Sequence, residues 1–293
     1  MSDLLGWIAN GFAQGSMIFL IASGLTLIFG VMRVLTFAHG GFFMLGAYLA
    51  HQLAGGAVLS GPKFWAVIVC GALGVGVVGI AAEVVLFRRL YALPQLYSLL
   101  ATYALLLLLQ GVATLIWGVG TVSLSVSTRV THSVSVAGAS ISLYSISLAV
   151  IGIAVALMLS LLVYRTSFGT SLRATAADRQ MASVLGINVK FVFSVTFVLG
   201  VLLAGLGGGL AAQVYAITPD LAVAQLIQAF AVVVIGGLGS VWGAYVAAIA
   251  LSTLDAYLVT QYQHLATFSF FAAMAFILLL RPQGLFGRRE AGA

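Results

Sequence analysis

Charged residues are scarce in this chain: Asp, Glu, Lys and Arg make up 6% of its 293 residues, whereas 62% are hydrophobic. A soluble domain carries about 25% charged residues. Too few polar side chains remain to cover a protein surface in water, so we expect most of the chain to face lipid or neighbouring membrane protein. The net charge of +6 comes from basic residues at the ends of apolar segments, which does not suggest a nucleic-acid partner.

The chain also lacks the motifs of nucleotide binding, metal binding and catalysis. Neither of its two lysines, Lys63 and Lys190, lies in a GxxxxGK[ST] P-loop, so we expect no ATP hydrolysis by this chain. Its four histidines are scattered, and the single cysteine, Cys70, allows no intrachain disulfide. With no nucleophile–base pair and no cofactor motif, the sequence predicts neither an enzyme nor a bound cofactor or metal.

Successive apolar segments predict an all-α polytopic membrane protein. A membrane-crossing helix needs about 20 apolar residues. The segments cover residues 7–32, 36–54, 64–87, 96–117, 142–164, 191–214, 225–239, 241–261 and 266–281. Because the piece 225–239 is short and runs into GGLGS, we expect eight or nine transmembrane segments, with broken or short helices among them. Residues 1–293 are interpreted as a single membrane domain.

Three groups of basic residues predict the orientation of the bundle. They comprise Arg88 and Arg89; Arg165, Arg173, Arg179 and Lys190; and Arg281, Arg288 and Arg289. Loops rich in Lys and Arg stay in the cytoplasm, so we expect these groups and the C-terminus there. The loop 118–141, rich in Ser, Thr and Val, then lies outside, where its alternating pattern could form a small β-hairpin over the outer mouth.

The cytoplasmic loop 165–190 has the pattern of a short amphipathic helix. Thr175 and Asp178 have the spacing of a capping box, and Gly186 suits the left-handed position after a helix end, which predicts a helix over 176–185. Its apolar face comprises Ala177, Met181, Val184 and Leu185. A helix this short is marginal in water. It can rest on lipid head groups or on its own bundle, or it can dock in a groove of a cytoplasmic partner.

A second polar stretch, VMRVLTFAHGGFFMLG (31–46), interrupts the first two apolar segments. Arg33 could extend to the head groups while His39 closes a tight turn. Alternatively, a broken helix here presents its half-helix ends and polar side chains to a translocation pathway, with neutral His39 bonding the backbone that the break frees. The glycine-rich stretch IGGLGSVWGA (235–244) leaves two similar interpretations open, a break that lines a pathway and a tight turn between helices.

Three separated stretches resemble the LivH-type permeases of high-affinity branched-chain amino acid ABC importers. They are GLTLIFGVMRVLTFAHGGFFMLGAYLA (24–50), RATAADRQMASVLGIN (173–188) and VVVIGGLGSVWGAYVAAIAL (232–251), in the family's order and spacing. The resemblance implies the ABC importer permease fold, in a subunit of an ATP-driven, binding-protein-dependent importer of branched-chain or related amino acids in the bacterial inner membrane. It also implies four partners: a LivM-type second permease, two ATP-binding subunits and a periplasmic substrate-binding protein.

The resemblance assigns roles to both polar stretches. It implies that 165–190 is the ATPase-coupling segment, with Arg173, Ala174, Asp178, Arg179, Ala182 and Gly186 at matching positions, to which the helix pattern adds Thr175, Met181 and Leu185. Relatives commonly read INFAHG where this chain reads LTFAHG, so Thr36 replaces a frequent asparagine. We predict that the translocation pathway includes Arg33, Thr36, Phe37, His39, Gly40, Gly236, Gly237 and Gly239.

Two alternative functions stay open at this point. One is a stand-alone channel or secondary carrier for a small polar solute, although the lack of a charged relay inside the apolar segments weakens a proton-coupled carrier. The other is an ABC permease for amides or urea, because relatives of the LivH type also serve those solutes.

Overall fold

A computed structural model describes residues 2–90, 94–127, 132–136, 139–262, 264, 268–281 and 283–286. Its helices in chain order are α1 Ser2–Met32, α2 Ala38–Ala54, α3 Pro62–Ala82, α4 Gln95–Trp117, α5 Leu143–Arg165, α6 Ser167–Ala177, α7 Arg179–Val184, α8 Val189–Ala211, α9 Leu221–Gly236, α10 Val241–Gln261 and α11 Ser269–Leu280. Helix α3 continues through a π-helical turn, Glu83–Phe87, into a last α-helical turn, Arg88–Leu90.

The predicted helical membrane protein is confirmed, but the predicted count of eight or nine crossings is not. Within the described residues, six stretches are long and apolar enough to cross a membrane: Gly6–Met32, Pro62–Leu90, Gln95–Trp117, Leu143–Arg165, Val189–Ala211 and Val241–Gln261. The other three predicted segments correspond to α2, α9 and α11, which have 17, 16 and 12 residues. They are shorter than the roughly 20 residues of a full crossing, and residues 266–267 of the last segment lie outside the described residues.

Helix α1 forms the centre of the bundle. Its apolar window is 89% buried, whereas those of α4 and α5 are 22% and 28% buried. It packs mainly against α8 and α10, and α2 packs against α8, α3 and α4. Backbones touch where α2 meets α8, because a Cβ on Gly208 would lie 1.8 Å from the carbonyl oxygen of Phe43. The outer helices α4 and α5 therefore present most of their apolar side chains to lipid or to other proteins.

The connections at one end of the bundle carry most of the described cations, and this end is called the basic end below. It comprises residues 33–37, 88–90, 94–95, 165–190, 237–240, 281 and 283–286, which include Arg33, Arg88, Arg89, Arg165, Arg173, Arg179, Lys190 and Arg281. Gln95 contacts Arg33, which joins two of these segments, and Gly239 packs against Gly30 near the end of α1. The basic residues that the sequence predicts to lie on one side thus share one end of the bundle, and their position in the cytoplasm stays a prediction. Arg288 and Arg289 lie outside the described residues.

The opposite end of the bundle contains the predicted hairpin, which is confirmed. Strand β1 (Ser133–Val136) pairs antiparallel with β2 (Ala139–Ser142) in a register that places Ser133 opposite Ser142. The preceding part of the loop lies on two other connections: Val122 and Ile217 exchange backbone hydrogen bonds of 3.1 and 2.9 Å, and Leu59 bonds to Ser125 and Ser127. Residues 128–131 and 137–138 of the predicted loop 118–141 are not among those described.

Candidate functional site

The first two apolar segments are separated by a break in the backbone, as the broken-helix interpretation predicted. Helix α1 ends at Met32, and Arg33 adopts a left-handed conformation with φ of 53°, which is uncommon for a residue other than glycine. The Arg33 N–H still donates to Phe29 over 2.9 Å. Irregular chain over residues 33–36 and a turn at Phe37 then lead to α2, which begins at Ala38. The structure thus contains two helices here rather than one kinked helix.

Side chains of α4 satisfy the backbone groups that this break leaves free. The amide of Gln95 donates to the Arg33 carbonyl over 2.9 Å, and the Thr102 hydroxyl accepts from the Phe37 N–H over 3.3 Å. Ser98 is buried on the same side of α4. Sequence analysis missed these three residues. Their spacing of i, i+3 and i+7 in an otherwise apolar helix is the signal that could have identified them.

His39 and Gly40 are fully buried at the start of α2 and pack against other helices. A Cβ on Gly24 would lie 2.5 Å from both the His39 Nε2 and the Gly200 carbonyl oxygen, so the imidazole lies between α1 and α8. A Cβ on Gly40 would lie 2.2 Å from the carbonyl oxygen of Ala222 in α9. The sequence suggested that His39 bonds the backbone groups freed by the break, but Gln95 and Thr102 of α4 bond them instead. Whether these residues line a pathway stays a prediction.

The predicted coupling segment contains two short helices, α6 and α7, so the prediction of a single helix over 176–185 is wrong. Helix α6 extends through Thr175, whose side chain is buried, and the chain breaks at Asp178. The Asp178 Oδ1 accepts from the Gln180 and Met181 N–H groups over 2.8 and 3.0 Å and caps α7. The left-handed end at Gly186 is confirmed, with φ of 83°. Its N–H donates to Ser183, which satisfies a carbonyl of the last turn.

One side of α7 is seated on the bundle, and the other is exposed. Ala182 is buried, at 2% exposure, and its carbonyl accepts from Ile187 over 3.0 Å. The exposed side carries Met181, Val184 and Leu185, which are 56%, 82% and 72% exposed. We call these three residues the apolar ridge. Because the bundle does not cover it, the ridge is available to another molecule.

Two arginines join the segment 165–190 to the bundle. Arg173 donates to the Val163 carbonyl near the end of α5 and lies over the Tyr164 ring at 5.6 Å. Arg179 donates to the Met32 carbonyl at the end of α1 and lies over the Phe193 ring at 5.0 Å. Burial lowers the pKa of Arg179, and the positive charge of Arg33 lowers it further. Arg179 therefore connects the predicted coupling segment directly to the predicted break.

The glycine-rich stretch forms a close-packed turn between α9 and α10 at the basic end. Gly237 and Gly239 have φ of 98° and 86°. A Cβ on Gly236 would lie 2.5 Å from the Ala244 nitrogen, so the two helices meet backbone to backbone. The N–H groups of the C-terminal segment 285–286 donate to the last carbonyls of α9 over 2.8 and 3.1 Å. A tight turn accounts for this geometry, and a role in the pathway stays a prediction.

Comparison with known proteins identifies the family of this bundle. The profile described as branched-chain amino acid transport system / permease component matches residues 7–280. The chain belongs to this family. It is 30% identical to the high-affinity branched-chain amino acid transport system permease protein LivH of Salmonella typhimurium, over 96% of this chain and 94% of that protein. The same identity and coverage hold for LivH of Escherichia coli.

A third relative and one solved structure complete the comparison. The permease is 29% identical to BraD of Pseudomonas aeruginosa, over 97% of this chain and 95% of that protein. The solved structure, PsaBC from Streptococcus pneumoniae in complex with Fab, matches at 16% identity with a TM-score of 0.46, covering 92% of this chain and 89% of that chain. A likeness of that size supports no further conclusion. The predicted LivH-type membership is confirmed by the family profile and the relatives.

Two acids inside apolar helices of the permease have structural partners. Glu83 is 2% exposed, forms a 3.1 Å salt bridge with Arg88 and accepts a hydrogen bond from the Ser194 hydroxyl. Asp255 accepts from the Ser269 hydroxyl over 2.8 Å and links α10 to α11. No group of three or more His, Cys, Asp or Glu side chains that could hold a metal ion occurs in the described part of the permease.

Proposed function

We propose that this permease is a subunit of an ATP-driven, binding-protein-dependent importer for branched-chain or related amino acids. It would form half of the translocation pathway, with a LivM-type second permease as the other half. Two ATP-binding subunits and a periplasmic substrate-binding protein complete the assembly. The bundle lies in the bacterial inner membrane with its basic end and C-terminus in the cytoplasm, in keeping with the positive-inside rule.

The apolar ridge is the observation that carries this proposal. Two exposed apolar side chains on α7 and a third on Leu185, the residue after it, are left uncovered by the described bundle. They suit a hydrophobic groove on an ATP-binding subunit, since short helices commonly bind partners through apolar anchors at helical spacing. The buried Ala182 and the hydrogen-bonded Arg179 hold the ridge at a fixed position on the bundle.

The contacts of Arg179 suggest how coupling reaches the pathway. Closure of two ATP-binding subunits around ATP would shift the grooves that hold α7. Arg179 begins α7 and donates to the Met32 carbonyl, so a displacement of α7 acts on the end of α1. The next residue, Arg33, has a left-handed backbone conformation that ends α1. We therefore expect the break between α1 and α2 to change conformation when α7 moves.

Reconstitution into lipid vesicles tests the proposal. The permease is combined with its LivM-type partner and binding protein, with or without ATP-binding subunits, and uptake of radiolabelled leucine is measured. We expect uptake that requires ATP and both ATP-binding subunits. Leucine uptake by the permease alone would refute the ABC assignment in favour of a carrier, whereas ATP-dependent uptake of urea or amides without leucine would correct the substrate.

Cysteine labelling tests the pathway separately. Single cysteines are placed along residues 33–43 in a background with Cys70 replaced by serine, because Cys70 is itself exposed. We expect labelling by a small water-soluble maleimide to change between ATP-free and ATP-bound states. Complete protection at each position in both states would remove this stretch from the pathway.

A further inference from the structure

A cavity at the basic end brings together two arginines from different parts of the permease. It has a volume of about 160 Å³, and its polar lining comprises Arg33, Gln95, Ser98 and Arg179. The remaining lining is apolar and includes Phe87, Leu90 and Phe193. A more open hollow beside it is also lined by both arginines, together with Asp178. Arg33 and Arg179 thus line both of these neighbouring hollows at the basic end.

The charges of these two arginines are not neutralised within the described residues. The salt bridge found there joins Glu83 to Arg88 instead. Asp178 is the acid that borders the open hollow, but its Oδ1 accepts two backbone N–H groups at the start of α7. Arg33 acts on Arg179 as a neighbouring positive charge and lowers its pKa. Arg33 is exposed and Arg179 is partly buried, and the repulsion between these two cations favours an anion beside them.

We propose that this cavity binds the phosphate group of an anionic ligand, either an anionic phospholipid head group or a free phosphate. The planar guanidinium of arginine presents paired donors that match phosphate oxygens, and the Ser98 hydroxyl adds a further donor on the cavity wall. Basic pockets between membrane helices on the cytoplasmic side commonly hold acidic head groups. The apolar wall formed by Phe87, Leu90 and Phe193 gives a lipid additional contacts that a free phosphate lacks.

Ligand binding here is distinct from transport, because the cavity lies where the break after α1 meets the predicted coupling segment. Arg33 follows the end of α1, and Arg179 begins α7. A phosphate held by both would offset their repulsion and fix α7 against α1. The lipid composition of the membrane would then influence how firmly the coupling segment is held.

The test measures ligand binding by the purified full-length chain in detergent. Dissociation constants are determined for dioctanoyl phosphatidylglycerol, dioctanoyl phosphatidylcholine and inorganic phosphate. The variants are Arg33→Gln, Arg179→Gln and the charge-neutral, cavity-filling Ser98→Leu. Arg165→Gln is the matched control, because it removes an exposed cation at the same end without bordering the cavity. The melting temperature of each variant separates weak binding from misfolding, and Arg33→Gln and Ser98→Leu suffice if Arg179→Gln does not fold.

We expect phosphatidylglycerol to bind more tightly than phosphatidylcholine. Arg33→Gln and Arg179→Gln should each weaken it about fivefold, which corresponds to ~1 kcal/mol for one cation near an anionic lipid. Ser98→Leu should weaken it at least as much, and Arg165→Gln should not. Inorganic phosphate that binds with the same dependence on these variants identifies free phosphate as a source. Equal binding of both lipids without phosphate binding, or equal losses in Arg165→Gln and Arg33→Gln, would overturn the proposal.

Discussion

Replacing Gly186 with valine should uncouple ATP hydrolysis from transport while leaving the bundle intact. Gly186 ends α7 with φ of 83°, and a Cβ added there would meet nothing within 4 Å. The cost of the substitution is therefore one of backbone conformation and not of space. A left-handed conformation costs a residue with a side chain ~1–2 kcal/mol, and a β-branched residue adopts it least readily.

That cost is large for so short an element. Helix α7 has six residues, and its end depends on hydrogen bonds from Gly186 to Ser183 and from Ile187 to Ala182. A penalty of ~1–2 kcal/mol shifts the equilibrium between the formed and frayed end by about 5- to 30-fold. Frayed residues Val184 and Leu185 would no longer hold the apolar ridge in one arrangement, so movement of the ATP-binding subunits would not reach α1.

The matched control is Gly186→Asn, because asparagine tolerates the left-handed conformation. A Cβ at this position meets open space, so a steric clash at the Cβ does not distinguish the two variants. The assay compares leucine transported per ATP hydrolysed in vesicles, together with the amount of monodisperse permease extracted from membranes. We expect a lower transport ratio for Gly186→Val alone, at normal extraction. A valine variant that couples as well as the asparagine variant would refute the reasoning.

Three further predictions concern the ridge, its connection to α1 and the packing of the bundle. Leu185 is 72% exposed, so Leu185→Asp should leave the melting temperature unchanged but weaken the binding of ATP-binding subunits at least tenfold in pull-down titrations. The control Lys190→Ala should change neither the binding nor the melting temperature. Arg179→Gln should destabilise the purified permease by ~1.5–3 kcal/mol in thermal unfolding, because the Met32 carbonyl loses a charged donor; stability equal to wild type would mean that this bond contributes nothing. Gly208→Ala should destabilise the permease by ~1–3 kcal/mol, because the added methyl group would overlap a main-chain oxygen. Gly111→Ala, in open space, should instead stabilise it by up to ~1 kcal/mol. Equal effects of the two substitutions would contradict the close packing of α2 on α8.

Short-range sequence patterns predicted where helices break, but they did not predict which side chains bond the backbone groups that a break leaves free. The polar stretch after α1 predicted a break, and the structure has one at Arg33. The hydrogen bonds that satisfy it come from Gln95 and Thr102, more than sixty residues later in the chain. No local pattern reports such a pairing, and the polar side of α4 indicates only that some partner exists. His39 was considered for this role because it is near in sequence, yet it packs between α1 and α8.

The error in the coupling segment has a similar cause. Thr175 and Asp178 are both residue types that cap helices, and the capping-box spacing favoured the earlier one. In the structure Thr175 is buried inside α6, where its hydroxyl cannot cap a helix, and Asp178 takes that role for α7. Burial against the bundle decided between two local possibilities of similar strength. Gly186 was predicted correctly because its left-handed conformation depends only on the residues beside it.

The end of α9 depends on residues that the ribosome makes much later. Leu285 and Phe286 donate to the carbonyls of Ile235 and Gly236, some fifty residues earlier in the chain. Helices α10 and α11 must therefore be synthesised before these two carbonyls acquire their partners. Until then, these two carbonyls lack the hydrogen bonds that they accept in the finished bundle. Completion of this turn is accordingly a late step in the biogenesis of the permease, after insertion of the helices that precede it.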